Sequence, residues 1–144
     1  MQGAPALWHF GFHAQRDIAE ALIAGRERLY IESFIRARAF NPAAISDAEI
    51  DIYTAMMAAP GSLRGGLEYY RTFDRDAAAN KEFAAEKLSI PVLGIGGGRL
   101  GPILKGIVAS LSDDAHAETI ADCGHWVVAE RPNEFVGAVN AFLG

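Results

Sequence analysis

Residues 90–95, Ile-Pro-Val-Leu-Gly-Ile, form a continuous apolar run closed by three glycines, and this run limits the fold more than any other feature. A strand without polar alternation belongs on a parallel sheet, where both faces are covered. Downstream, Pro102 to Leu111 reads as a crossover helix and Ala117 to Ile120 as a second, weaker strand. Asn133 is placed to cap a last helix, with Phe135, Val136, Val139, Phe142 and Leu143 turned inward. The expected order is therefore β-α-β-α, a piece of an α/β parallel sheet. Such a sheet needs helices on both faces and several strands side by side. Two strands leave unpaired backbone at their edges, so something must lie beside them. The candidates are further N-terminal sequence, a second copy of the chain, or a partner, and the first is favoured.

Upstream of that piece the pattern is helical, from about residue 13 to 88. Ile18, Leu22 and Leu29 recur at helical spacing, as do Tyr30, Phe34 and Ile35. Asn41-Pro42 breaks the pattern, because the residue before a proline is pushed out of the helical region. Ser46-Asp47-Ala48-Glu49 has the form of a capping box, and Ile50, Tyr53 and Met57 make the buried stripe of the helix it starts. Pro60-Gly61 ends that helix, and Leu63, Leu67, Tyr70 and Phe73 continue another. The chain thus divides at residues 1–88 and 89–144. It contains neither an internal repeat nor a low-complexity linker.

Composition narrows the function. The 144 residues suit one domain, and a 51% apolar content is ample for a core. Thirteen basic residues against 18 acidic ones give a net charge of −5, and the basic residues are spread along the chain, which argues against a nucleic-acid partner. No apolar run approaches the roughly 20 residues of a membrane span. The start, Met1-Gln2-Gly3-Ala4-Pro5, lacks the basic and apolar regions of an export signal. As it stands the chain reads as cytoplasmic, although any signal on additional N-terminal sequence leaves the compartment unknown. One cysteine excludes an intrachain disulfide and argues against a cysteine-based metal site. No cofactor is expected.

Four segments carry candidate chemistry. Gly124-His125 follows the second strand, placing His125 at the carboxyl end of a parallel strand, the edge at which open α/β sheets carry their sites. An imidazole there suits a general base, because its ordinary pKa is near 6.5. Trp8-His9-Phe10 lies among apolar residues before the first helix, and by spacing alone His9 is a core histidine. Of the adjacent Tyr69 and Tyr70 only one can face the core of a helix, leaving the other hydroxyl for a cleft. Gly96-Gly97-Gly98-Arg99-Leu100-Gly101 matches the spacing of a dinucleotide-binding turn, with Glu118 and Asp122 about 20 residues on, but a complete dinucleotide half requires a further strand. His13 and His116 read as surface residues, Asp113-Asp114 as a solvated turn and Cys123 as a small buried thiol. No Gly-x-Ser-x-Gly, nor an equivalent centred on Asp or Cys, occurs on a strand-to-helix turn.

Together these segments resemble the epoxide hydrolase branch of the α/β-hydrolases. The resemblance rests on Trp8-His9-Phe10, Ala19-Glu20 with Leu22-Ile23-Ala24-Gly25, Glu27-Arg28, Phe34-Ile35, Glu68-Tyr69-Tyr70-Arg71, Pro91 with Gly96-Gly97-Gly98, and Cys123-Gly124-His125-Trp126. It implies a helical cap to about residue 88 followed by the C-terminal part of the core. It also implies that His9 and Tyr70 donate hydrogen bonds to an epoxide oxygen and that His125 is the base. The family's nucleophilic Asp and its acid normally precede the Trp-His-Phe segment. The alternative position for the acid, after the strand before the crossover helix, here reads Gly96-Gly97-Gly98-Arg99 without a carboxylate. The expectation is half of an epoxide hydrolase, inactive alone and completed by an N-terminal half or by self-association. The alternatives are a haloacetate dehalogenase half, a non-catalytic self-associating remnant, and a dinucleotide-binding module.

Overall fold

The computed structural model describes residues 7–98 and 100–144, apart from the side chain of Pro102. Arg99 and the start Met1-Gln2-Gly3-Ala4-Pro5, both read above, lie outside the described residues. Two compact units are present: the described part of Met1–Glu32 with Asp47–Asn80, and Ser33–Ser46 with Lys81–Gly144.

The first unit is helical. It contains α1 (Trp8–Ala14), α2 (Ile18–Ile23), the first part of α3 (Glu27–Arg36), α4 (Asp47–Ala58), α5 (Ser62–Arg71) and most of α6 (Phe73–Phe83). Trp8, His9 and Phe10 therefore begin a helix instead of preceding one. Ala19, Ile23 and Leu67 form the buried cluster, with Phe12, Tyr30, Met57 and Leu63 packed around it. The expected stripe on α2 is out of phase by one residue: Ile18 and Leu22 are more than half exposed, while Ala19 and Ile23 are buried. A six-residue helix supports either phase by periodicity, and packing against α1 and α5 selects the face. Ile50 is fully buried on α4, and Tyr53 is exposed. Gly61 adopts a left-handed φ of 81° between α4 and α5, a conformation that only glycine takes without strain.

The second unit holds β1 (Val92–Gly97), α7 (Gly101–Leu111), β2 (Ala115–Ile120), α8 (Val127–Glu130) and α9 (Pro132–Leu143). Strands β1 and β2 are parallel, from Val92 opposite Ala115 to Gly97 opposite Ile120. The first strand starts and ends two residues later than its apolar run predicts, so Gly96 and Gly97 belong to it. Close neighbours explain the glycines. A Cβ on Gly94 would lie 2.6 Å from Val108, one on Gly101 1.9 Å from the Thr119 hydroxyl, and one on Gly97 2.0 Å from the carbonyl oxygen of Gly124. Helix α9 begins at Pro132 after Arg131, so Asn133 lies inside it and is not the cap. Among the described residues no helix is long and apolar enough to cross a membrane.

Candidate active site

In the second unit β2 ends at Ile120, and the chain turns through residues 121–126 to reach α8. Asp122 sits in the left-handed region, at φ 47°, which an Asp tolerates better than most side chains. Several backbone groups of the stretch from Asp122 to Trp126 are tied to groups outside it. The Arg131 guanidinium donates to the Asp122 carbonyl from Nε at 3.1 Å and Nη2 at 3.0 Å. The Gly98 N–H donates to the Cys123 carbonyl at 3.1 Å, and the His125 N–H donates to the Arg38 carbonyl at 2.9 Å. The N–H groups of Gly124 and Trp126 donate to Oε1 of Glu130 at 3.0 and 3.2 Å. The Trp126 indole N–H donates to the Ile35 carbonyl at 2.8 Å.

His125 is thus presented at the carboxyl end of β2 by a turn with little freedom. Although the residue keeps solvent-accessible surface, burial of the imidazole, and after it the nearby Arg38 guanidinium, lower its pKa from 6.5, with the Glu130 carboxylate opposing. The neutral ring, the form that can accept a proton, is favoured at pH 7. Cys123 is buried as expected, and burial raises its thiol pKa, which keeps it protonated.

His9 and Tyr70 are neighbours within the first unit, with ring centroids 5.6 Å apart and edge-to-face. His9 is 6% exposed, whereas Tyr69 beside Tyr70 is 76% exposed, so the inward tyrosine is Tyr70. A partly open recess of about 350 Å³ is lined by Ala14, Arg16, Tyr70, Arg71, Phe73 and Asp74. Arg71, its side chain only 6% exposed, donates to both oxygens of Glu20 at 2.7 and 2.9 Å, to Glu68 at 2.9 Å and to the His13 carbonyl at 3.1 Å. The hydrogen bond from Arg71 holds the Glu20 carboxyl at a pKa of about 2.

Two residues of these surroundings escape the sequence reading. His13 is not a surface residue: it is 3% exposed, hydrogen-bonded to the Tyr30 hydroxyl, and 4.1 Å from Tyr70 between ring centroids. Its spacing of four from His9 puts both rings on one side of α1, a signal that helix periodicity supplies once residues 8–14 are recognised as helical. Glu130 is the other, and a carboxylate five residues beyond a Gly-His turn carries no comparable signal. His116 is exposed and hydrogen-bonded to Asp114, as expected of a surface histidine. Among the described residues no group of three or more His, Cys, Asp or Glu side chains could hold a metal ion.

No family model matches the chain. The soluble epoxide hydrolase of Corynebacterium sp. strain C12 is 31% identical over 138 residues, which is 94% of this chain and 48% of that protein. The crystal structure of wild-type Cfl2 from Burkholderia cenocepacia superposes with a TM-score of 0.89 at 34% identity, over 99% of this chain and 50% of that one. A putative α/β-hydrolase from Nostoc sp. PCC 7120, 23% identical, shares the fold with a TM-score of 0.88 over 96% of this chain and 49% of its own. The chain spans about half the length of each of these proteins. By sequence and by fold, over that half, it matches the epoxide hydrolase branch of the α/β-hydrolases.

Proposed function

We propose that the chain supplies the base and the ring-oxygen donors of an epoxide hydrolase whose nucleophilic carboxylate comes from an N-terminal half. The observation that carries this reading is the relation to an epoxide hydrolase along 94% of the chain. The anchored His125 turn at the end of β2 supports it. In the first step an Asp carboxylate of the other half attacks one epoxide carbon, the C–O bond breaks, and the ring oxygen takes up the displaced pair. Tyr70 and His9 donate to that oxygen as its charge develops. One such donor in a dry site is commonly worth about 10²–10³ in kcat. In the second step His125 removes a proton from water, the resulting hydroxide attacks the ester carbonyl and the acyl C–O bond breaks; the protons left on the imidazole and on the new acid end on the two product oxygens, so the diol leaves with the carboxylate restored.

The 144 residues contain no nucleophile elbow, so the isolated chain is expected to turn over no epoxide. Mixing it with the N-terminal half of a related hydrolase and supplying epibromohydrin is expected to yield diol. His125→Gln is expected to trap the ester and stop the second step. If complemented protein forms no diol, or His125→Gln leaves turnover unchanged, the reading is wrong. Halide release from fluoroacetate or chloroacetate would favour the dehalogenase alternative, against which Phe10 stands where that group's halide pocket tends to have tryptophan.

A further inference from the structure

The carboxylate of Glu130 gathers four backbone N–H groups from two separate segments. Oε1 accepts from Gly124 and Trp126, on either side of His125, at 3.0 and 3.2 Å. Oε2 accepts from Phe40 at 2.7 Å and Asn41 at 3.1 Å, in the stretch that follows α3. The same stretch receives the His125 N–H through the Arg38 carbonyl at 2.9 Å. Backbone contact there is tight: a Cβ on Gly124 would lie 2.4 Å from the Arg38 oxygen and 2.5 Å from the Phe40 nitrogen. The His125 turn and the 38–41 stretch therefore meet main chain to main chain, with one side chain joining them. Hydrogen bonds to an ionised acceptor are roughly twice as strong as neutral ones. An amide cannot replace this carboxylate, because a Gln presents one acceptor and one donor, and its NH₂ would face two N–H groups.

We propose that Glu130 is a positioning residue for His125, fixing the turn that carries the imidazole by joining it to residues 40 and 41. The role rests on the reading of His125 as the base, but the joint itself is a property of this chain and is testable without a substrate. Neither the missing nucleophile nor the cap donors enter it. The charges that act on His125 are the Arg38 guanidinium and the Glu130 carboxylate, and the centroid of the Trp126 ring lies 4.8 Å from that of the imidazole.

The test follows amide exchange and the imidazole titration by NMR on the 144-residue chain. In the unsubstituted protein the N–H groups of Phe40, Asn41, Gly124 and Trp126 are expected to be protected together, opening as one unit. Their exchange at the rate of free peptide overturns the proposal, whatever the variants do. Glu130→Gln is expected to speed exchange at one pair by about tenfold or more, the loss of a charged hydrogen bond. Glu130→Asp keeps the charge but is one methylene shorter, and is expected to release one pair while the other stays protected.

The His125 midpoint separates positioning from simple charge. Removing a nearby carboxylate lowers it further below 6.5, whereas freeing the ring from its seat raises it toward 6.5. Positioning requires the rise in Glu130→Gln, and a fall overturns it. In complemented protein the same variant is expected to lower kcat by about 10–10²-fold with KM within about twofold, as for a misplaced catalytic group. Unchanged kcat beside an altered titration overturns the functional role. Absence of diol from the unsubstituted complex, with the exchange results as expected, instead removes the epoxide reading and leaves the joint standing.

Discussion

Arg71 shows how one charged side chain organises the surroundings of Tyr70. It satisfies Glu20 bidentately, Glu68 and the His13 carbonyl while nearly hidden from solvent. Removing one member of such a set leaves the others desolvated, so Arg71→Met is expected to destabilise the chain by about 3 kcal/mol in urea titration. The pH dependence has a defined sign. Glu20 has a folded pKa of about 2, below the ordinary 4.5, so the unfolded chain takes up the proton first as pH falls. The stability from this pair is complete above pH 4.5 and is lost between there and about 2, so the acid limb should flatten in Arg71→Met. A stability profile without a carboxylate step in that window would contradict the pairing. At this scale the sequence was informative where chemistry is local. Tyr70 could be separated from Tyr69 because adjacent residues on a helix face different ways, and Cys123 is buried as its type suggests. The burial of His13 is not legible in the sequence, because the Tyr30 hydroxyl it bonds lies 17 residues away on another helix.

Among the elements, β1 and the turn after β2 are fitted to each other by the absence of side chains. Gly97→Ala would drive a methyl into the Cys123 and Gly124 carbonyls, whereas a Cβ on Gly98 meets nothing within 4 Å. Gly97→Ala is expected to cost about 1–3 kcal/mol and to shift the amide resonances of residues 123–126, while Gly98→Ala leaves both unchanged. Saturable NAD binding abolished by Gly98→Val would instead favour the dinucleotide reading of the same glycines. Helix α2 makes a similar point about phase. Leu22 and Ile23 are equally apolar, and only neighbouring helices decide that Ile23 is the buried one, at 2% exposure. Element type was legible for most of the chain but not for α1 or the short α8, and boundaries were not legible: Asn133 has the composition of a cap, yet Pro132 already starts α9 after Arg131.

For the molecule as a whole, apolar surface is left uncovered before β1 and on the helices around the two-stranded sheet, including Ile90, Ile103 and Ile107 on α7, and Val136 and Leu143 on α9, all at least half exposed. Surface of this kind marks a contact region or an aggregation liability. Light scattering on the isolated chain is expected to show monomer or soluble aggregate, and addition of an N-terminal half to raise the melting temperature. A stable, discrete homodimer would favour the self-associating alternative. The order of elements, the parallel character of residues 92–97 and the position of His125 after a strand were all determined by the sequence, because periodicity and glycine placement act over a few residues. Which face of α2 is buried, that His13 lies beneath Tyr70, and that Glu130 ties the His125 turn to residues 40 and 41 were decided by tertiary structure. Each depends on groups from 17 to 90 residues apart in the chain or on the neighbouring helices, and their meeting is fixed by packing and by the need to satisfy buried backbone groups.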